Sequence, residues 1–366
     1  MKKLRVIISG GGTGGHIFPA LAIAKSIQKE VKNVDFLFVG ANDRMEMEKV
    51  PNEGYKIIGF WISGLQRSFS TKNLLFPFKL IHSILKANKV LKDFSPDLVI
   101  GTGGYASAPL LYVAAKKNIP CLIQEQNSYP GITNKILAKH VDKICVAYDK
   151  MGRFFPPEKL ILTGNPIRED ILGFEKKRKD GQKLFDIDVS KRTVLVVGGS
   201  LGAFSINNAV AKNIHRFKDV GLNLIWQTGI SYQNKAQKFI NDLNVKGINA
   251  YSFIKDMHKA YAVADVIVSR AGAIAISELC CVGKPIILIP SPNVAENHQY
   301  KNAQSLVNKN AALVVKDDQA NCKLVETLVE LLHSEERQAS LSSNIKKIAV
   351  TNAADRIAKI ALKLVK

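Results

Sequence analysis

Short runs of apolar residues, each the length of a strand, alternate with longer stretches of helical periodicity through most of this chain. In the first part the strand-like runs are residues 4–9, 35–39, 98–100, 121–124 and 143–147, and the helical patterns are 20–30, 77–93 and 108–117. A continuous apolar run bounded by turn residues suits a strand covered on both faces, and strands alternating with helices predict a mostly parallel sheet. The rhythm restarts after Lys191, with strands at 194–197, 223–227, 265–269, 286–289 and 311–315 and helices at 206–213 and 274–282. The fold class expected is α/β, as two Rossmann-like doubly wound domains facing a cleft.

Between the two series, Gly164-Asn165-Pro166 gathers turn residues, and a basic stretch, 176–183, follows it. That places a first domain at 1–163 and a second at 164–342, with the basic stretch as a solvated loop. The remaining 343–366 has helical spacing and no strand after it. It is expected to pack back across the hinge onto the first domain.

Three glycine clusters follow strand-like runs: Gly10-Gly11-Gly12-Thr13-Gly14-Gly15-His16, Gly101-Thr102-Gly103-Gly104-Tyr105 and Gly198-Gly199-Ser200-Leu201-Gly202-Ala203. Without Cβ atoms in the way, backbone N–H groups and the positive end of the next helix can approach a phosphate closely. Several such cradles point to more than one phosphorylated ligand. Gly10, Gly12 and Gly15 also satisfy the spacing of a dinucleotide site, but Asp35 stands at the start of its strand-like run, ahead of Phe36 to Val39, where the ribose-binding acid should follow it.

Composition narrows the partners. The chain has 366 residues, of which 46% are hydrophobic and 23% charged, the balance of a globular protein without long disorder. Lys and Arg number 52 against 31 Asp and Glu, a net charge of +21 that calls for an acidic partner: nucleic acid, an anionic membrane surface or phosphorylated substrates. No helix-turn-helix, zinc or RNA-binding signature accompanies the charge, so a nucleic-acid-binding module stands as the non-enzyme rival. Five cysteines without a C-x-x-C pair suit a reducing cytoplasm better than disulfides or zinc. The basic start, Met1-Lys2-Lys3, reads as the lead into a strand rather than a signal peptide, because Gly10 interrupts the apolar run. No window approaches the roughly 18 apolar residues of a membrane span.

A few side chains carry candidate chemistry. His16 closes the first glycine loop, where an imidazole could take a proton near neutral pH; the alternative is a histidine that only packs or binds phosphate. Glu278, a turn or two into the helical stretch 273–282, could accept both hydroxyls of a ribose, or be an ordinary surface glutamate. Asp186-Ile187-Asp188 has the D-x-D form of metal-dependent sugar transferases, but its place ahead of a strand reads as an exposed loop. In 72–92, Leu74, Leu75, Phe76 and Phe78 crowd around Pro77, while Lys79, His82, Lys86 and Lys89 recur at helical spacing. This is a basic amphipathic helix suited to an anionic membrane surface, or one that packs on its own sheet.

Taken together, GGGTGGHIFPALAIA (from Gly10), GTGGYASAP (from Gly101), QEQNSYPGITNK (from Gln124), GNPIR (from Gly164), GGSLGA (from Gly198), SRAGAIAISEL (from Ser269) and ENHQYKNA (from Glu296) resemble, in order, the motifs of the MurG family. Those proteins are bacterial UDP-N-acetylglucosamine:N-acetylmuramyl-(pentapeptide) pyrophosphoryl-undecaprenol N-acetylglucosaminyltransferases. The resemblance implies the GT-B glycosyltransferase architecture, without catalytic metal or cofactor, at the cytoplasmic face of the plasma membrane alongside cell-wall synthesis proteins. It implies transfer of GlcNAc from UDP-GlcNAc to the C4 hydroxyl of MurNAc in lipid I, the undecaprenyl-linked acceptor, with inversion, giving lipid II. A diacylglycerol glycosyltransferase or a UDP-GlcNAc epimerase of the same fold are the enzyme alternatives.

Carried over by position, the resemblance implies sugar-nucleotide contacts at Thr13, Gly14, Gly15, Asn127, Arg168, Ser200, Ile254, Ala273, Ile274, Ala275, Ile276, Ser277, Glu278 and Gln299. Within these, Ile254 would offer backbone groups to the uracil, Glu278 would hold the ribose, Ser200 and its loop the diphosphate, and Gln299 the GlcNAc. Gly11, Gly12, Gly103, Gly104 and Tyr105 would hold the acceptor's diphosphate, and Leu74, Leu75, Phe76, Phe78, Lys79 and Lys86 would meet the membrane. His298 precedes Gln299 where some relatives have a second glutamine. His16 is expected to be the base for the acceptor hydroxyl, with Arg168 and the amides of 199–203 stabilising the departing UDP.

Overall fold

The computed structural model describes residues 3–64 and 75–365. The chain forms two units, one comprising Met1–Ile167 with Asn352–Lys366 and the other Arg168–Thr351. In chain order the first carries β1 (Leu4–Gly10), α1 (Gly14–Glu30), β2 (Val34–Ala41), α2 (Glu46–Asn52), β3 (Lys56–Phe60), α3 (Phe76–Phe94), β4 (Leu98–Gly103), α4 (Ser107–Lys116), β5 (Cys121–Glu125), α5 (Ile132–Leu137), β6 (Lys143–Val146) and β7 (Leu160–Leu162). Its strands lie in the order β3-β2-β1-β4-β5-β6-β7, all parallel. Val6, Ile7 and Ile8 of β1 and Leu98, Val99 and Ile100 of β4 are fully buried, as unbroken apolar runs between two helix layers require.

The second unit carries α6 (Arg178–Leu184), β8 (Thr193–Val197), α7 (Phe204–Lys212), α8 (Ile214–Asp219), β9 (Asn223–Gln227), α9 (Gln233–Leu243), β10 (Ile248–Tyr251), α10 (Met257–Val263), β11 (Val266–Ser269), α11 (Ala273–Val282), β12 (Ile286–Leu288), α12 (His298–Val307), β13 (Leu313–Val314), α13 (Ala320–His333) and α14 (Glu335–Lys346). Its parallel sheet runs β10-β9-β8-β11-β12-β13. Both sheets therefore reverse their order beside their first strand, between β1 and β4 and between β8 and β11. In open α/β sheets the crevice at that reversal, beyond the carboxyl ends of the strands, is where ligands bind.

The last helix, α15 (Ala353–Lys363), belongs to the first unit, whereas 343–346 completes α14 of the second. Ile357, Ala358 and Ala361 are fully buried in the core that contains Val6, Ile8, Ile17 and Ala20. Asp355 accepts a hydrogen bond from Ser26 of α1, and Arg356 Nη2 donates to Leu162 O at 2.6 Å. Helix α1 begins at Gly14, ahead of the periodicity that starts at residue 20, and runs through Pro19, which removes one main-chain bond without ending the helix. The edge strands β3 and β10 have no strong sequence signal, since half-solvated positions such as Lys56 and Asn249 break the apolar run.

Truncating Ile357 to Ala should cost about 2–5 kcal/mol, the usual range for a fully buried aliphatic side chain. Urea denaturation of the Ile357→Ala variant checks this; an unchanged midpoint would mean that α15 contributes nothing to the first unit's core.

Candidate functional site

At the reversal point of the first sheet, the register between β1 and β4 slips after Ser9 so that Gly10 pairs with Gly103. This sets the first two glycine loops side by side. The N–H of Gly11 donates to Gly103 O at 3.3 Å, and a Cβ on Gly104 (φ +92°) would stand 2.4 Å from Gly11 O, so only glycine fits there. Gly12 (φ +83°) donates its N–H to Glu46, at 3.1 Å to Oε1 and 3.0 Å to Oε2. Glu46 is fully buried and also accepts from Ala41 N at 2.9 Å. The amides of Gly11 and Gly12, expected as phosphate donors, are thus engaged inside the protein. Gly14 and Gly15, which open α1, keep amide donors that by helix geometry have no acceptor within it.

His16 lies in the first turn of α1, half-buried. Its Nδ1 is 2.8 Å from Gly11 O, with Thr13 Oγ1 at 3.5 Å, and the far edge of the ring lies in the space that a Cβ on Gly103 would fill. A carbonyl oxygen only accepts, so Nδ1 carries the hydrogen and Nε2 is left as the ring's basic nitrogen. Thr13 is exposed, as is Tyr105, whose ring lies against Gly64.

Asn127 follows β5 and is held by a second buried glutamate that sequence reasoning passed over. Glu125 accepts from Asn127 N at 2.9 Å, Asn127 Nδ2 at 3.2 Å, Gly131 N at 3.1 Å and Asn134 Nδ2 at 2.9 Å. The motif from Gln124 is therefore a loop wound around one carboxylate. Its signal in the sequence, a glutamate ending a buried strand with Asn and Gly close behind, is visible only in retrospect.

In the second unit the expected residues apart from Arg168 follow strand ends: Ser200 after β8, Ile254 after β10, 273–278 after β11 and Gln299 after β12. Ser200 is exposed on a turn whose Gly202 (φ +80°) allows no side chain, because a Cβ would stand 1.9 Å from Thr228 O. Gln227, buried at the end of β9, donates Nε2 to Gly199 O and accepts from Ile254 N, both at 2.9 Å. The N–H of Ile254 is thereby committed, leaving its carbonyl for a ligand. Ala273, Ile274 and Ala275 form the first turn of α11 and supply its unpaired amides; Ile276 is buried, and Ser277 Oγ bonds back to Ala273 O at 3.0 Å. Gln299 Oε1 accepts from Ser291 N at 2.9 Å, which leaves its amide nitrogen to donate.

Glu278 is not a surface glutamate but 93% buried, with 7% exposure remaining. Arg168 grips it with two bonds, Nε to Oε1 at 2.9 Å and Nη2 to Oε2 at 3.2 Å, and Tyr261 Oη donates to Oε2 at 3.4 Å. Burial works against the Arg168 charge, but the Glu278 carboxylate outweighs it and holds the guanidinium above its ordinary pKa. Burial first, and Glu278 second, push the Tyr261 phenol well up, so it remains a donor. A carboxylate has about four lone-pair sites, and three are filled here, so one remains for a ligand hydroxyl. While Arg168 stays in place, Glu278 therefore lacks the free acceptor sites that two ribose hydroxyls would need.

On α3, Leu75, Phe78, Ile81 and Leu85 are exposed, and Phe76 is half-buried. Lys79 and Lys86 turn inward, donating to Ser63 Oγ at 3.0 Å and to Gly59 O at 2.7 Å, whereas Lys89 and Lys92 are exposed. Leu74 lies outside the described residues. Among the described residues no helix is long and apolar enough to cross a membrane, and no group of three or more His, Cys, Asp or Glu side chains could hold a metal ion. Asp186 and Asp188 sit in a loop where Asp188 caps Ser190, whose hydroxyl and N–H hold its carboxyl below the usual range. Burial pushes the Cys121, Cys145 and Cys280 thiols up to about 12, so none is poised as a nucleophile.

Comparison with known proteins assigns the chain. Residues 6–146 match the glycosyltransferase family 28 N-terminal domain and residues 193–357 its C-terminal domain. A protein of Christiangramia forsetii is 51% identical over 99% of this chain and 98% of its own length, and one of Parabacteroides distasonis is 47% identical over 100% and 99%. Both bear the name UDP-N-acetylglucosamine--N-acetylmuramyl-(pentapeptide) pyrophosphoryl-undecaprenol N-acetylglucosamine transferase. The chain belongs to the MurG family. A crystal structure of Acinetobacter baumannii MurG matches with a TM-score of 0.77 at 26% identity, covering 98% of this chain and 99% of that one. The two Rossmann-like units are accordingly those of the GT-B architecture. A UDP-GlcNAc 2-epimerase from Neisseria meningitidis, bound to UDP-GlcNAc, has a TM-score of 0.69 at 14% identity and shares the fold alone with this MurG-family chain.

Proposed function

We propose that this protein transfers GlcNAc from UDP-GlcNAc to the C4 hydroxyl of MurNAc in lipid I, with inversion, to give lipid II in peptidoglycan synthesis. The observation that carries this reading is 51% identity across 99% of the chain to a transferase named for that reaction. The epimerase alternative has only a 14% identical fold likeness behind it.

Transfer builds positive charge on the sugar and negative charge on the departing UDP, and it requires a proton to leave the acceptor hydroxyl. In this reading Nε2 of His16 takes that proton. The amides of the loop around Ser200 and those opening α11 receive the diphosphate, where preorganised donors are each worth about 3–4 kcal/mol. No cation is needed to neutralise it. Because the Gly11 and Gly12 amides are engaged inside the protein, those of Gly14 and Gly15, expected on the sugar nucleotide, instead join the loop of Gly103, Gly104 and Tyr105 in receiving the acceptor's diphosphate. Glu278 holds one ribose hydroxyl, Arg168 fixes that carboxylate, the Ile254 carbonyl meets the uracil, and Asn127 and the amide nitrogen of Gln299 contact the sugar.

The exposed apolar stripe of Phe78, Ile81 and Leu85, with Lys89 and Lys92 further along α3, supports peripheral binding to an anionic membrane. In this reading that surface works at the inner face of the plasma membrane, beside other cell-wall synthesis proteins, because the acceptor is lipid-linked and the sugar nucleotide is cytoplasmic.

The purified protein should turn over UDP-GlcNAc with a lipid I analogue, and continue to do so in EDTA; turnover only with diacylglycerol, or only with added divalent ions, would overturn the reading. On the same assay His16→Ala should lower kcat by about 10²- to 10⁴-fold. Glu278→Ala and Arg168→Ala should each raise the KM for UDP-GlcNAc by the equivalent of about 1.5–3 kcal/mol. The double variant should lose no more than the worse single one, because the two groups act as a unit; additive losses would separate them. Cosedimentation with vesicles should increase with anionic lipid, fall with salt, and drop in a folded Phe78→Asp/Leu85→Asp variant.

A further inference from the structure

The Gly11–Gly12 peptide is held at both ends. Its carbonyl, that of Gly11, accepts from His16 Nδ1 at 2.8 Å, and its N–H, that of Gly12, donates to both oxygens of Glu46 at 3.1 and 3.0 Å. The C=O and N–H of a trans peptide point in opposite directions within one rigid plane, so His16 and Glu46 lie on opposite sides of the same peptide group. The space around Glu46 is cleared for it: a Cβ on Gly11 would stand 2.1 Å from Oε1, and one on Gly40 would stand 2.5 Å from Cγ. The carboxylate is fully buried, and among the described residues its hydrogen bonds come from backbone N–H groups, those of Gly12 and Ala41.

From this geometry we infer that Glu46 is a positioning residue for His16, acting through the Gly11–Gly12 peptide. Drawing the Gly12 N–H toward a carboxylate polarises the amide and makes the Gly11 carbonyl a stronger acceptor, since linked hydrogen bonds reinforce one another. The imidazole is thereby fixed with its hydrogen on Nδ1 and its lone pair on Nε2, and its ring plane is set by the peptide plane. The arrangement does the work of a carboxylate bonded directly to a catalytic histidine, with a peptide group inserted between them. It also explains why a short helix, α2, starts on a buried charge at the first glycine loop. The inference deepens the assignment of His16 as the base and rests on it for its catalytic consequence, but the tautomer it requires is measurable without turnover.

Nitrogen-15 NMR of the His16 ring in the unsubstituted protein, with the ring neutral, should show hydrogen on Nδ1; a dominant Nε2–H tautomer would overturn the inference. Glu46→Gln is the informative variant, because its carbonyl oxygen can replace Oε1 and keep the bonds from Gly12 and Ala41 while the charge is lost. In folded Glu46→Gln the His16 signals should move toward a mixture of tautomers. The kcat should fall by roughly 10- to 100-fold, the loss typical of an outer partner of a functional histidine, with little change in the KM for UDP-GlcNAc. Unchanged His16 signals in the folded variant would overturn the inference. Altered signals with an unchanged kcat would leave Glu46 as the residue that sets the tautomer and would remove His16 as the base.

Discussion

The close approach of two backbone loops at the β1–β4 reversal is the constraint on which the first unit's chemistry depends. Gly11 and Gly104 come so near that a single Cβ would stand 2.4 Å from a carbonyl oxygen, and the ring of His16 fills the space that another would take at Gly103. The reversal of strand order between the parallel β1 and β4 creates the crevice, and glycine lets main chain and imidazole occupy it together. Without that approach the Gly11 carbonyl would not reach Nδ1, and the histidine would be one more helix-start residue.

Three buried glutamates, two in the first unit and one in the second, then tie down the segments around them. Glu46 takes backbone N–H groups, Glu125 takes a mixture of backbone and Asn donors, and Glu278 takes a guanidinium and a phenol. A buried carboxylate is costly unless its oxygens are satisfied, so each one enforces the conformation that supplies its donors. Glu46 and Glu125 lie behind loops proposed to meet a ligand, whereas Glu278 is itself the residue proposed to hold a ribose hydroxyl. Rigidity is in this way built from charge on segments that lack regular secondary structure.

The second unit uses the same plan with different partners. Gln227 ties the third glycine loop to Ile254 through one side chain, and the first turn of α11 stands beside the loop after β8 because β8 and β11 are neighbours. The first-turn amides of α11 are among the groups this arrangement presents at the strand ends.

The sequence by itself determined the α/β class, the two successive parallel sheets, the positions of the glycine loops and the family motifs. These are properties of local pattern: an apolar run buried on both faces, a glycine after a strand, a helical period. Tertiary structure alone decided which donors are free and which carboxylates are buried. Glu46 and Glu125 look like ordinary polar residues in the sequence, and Lys79 and Lys86 look like a membrane-facing stripe until Ser63 and Gly59 are seen to receive them. Hydrogen-bond partners lie across loops and strands distant in the chain, as Arg168 and Glu278 do, so no period or spacing encodes them. The division between residues that touch a ligand and residues that hold those residues in place is made in space.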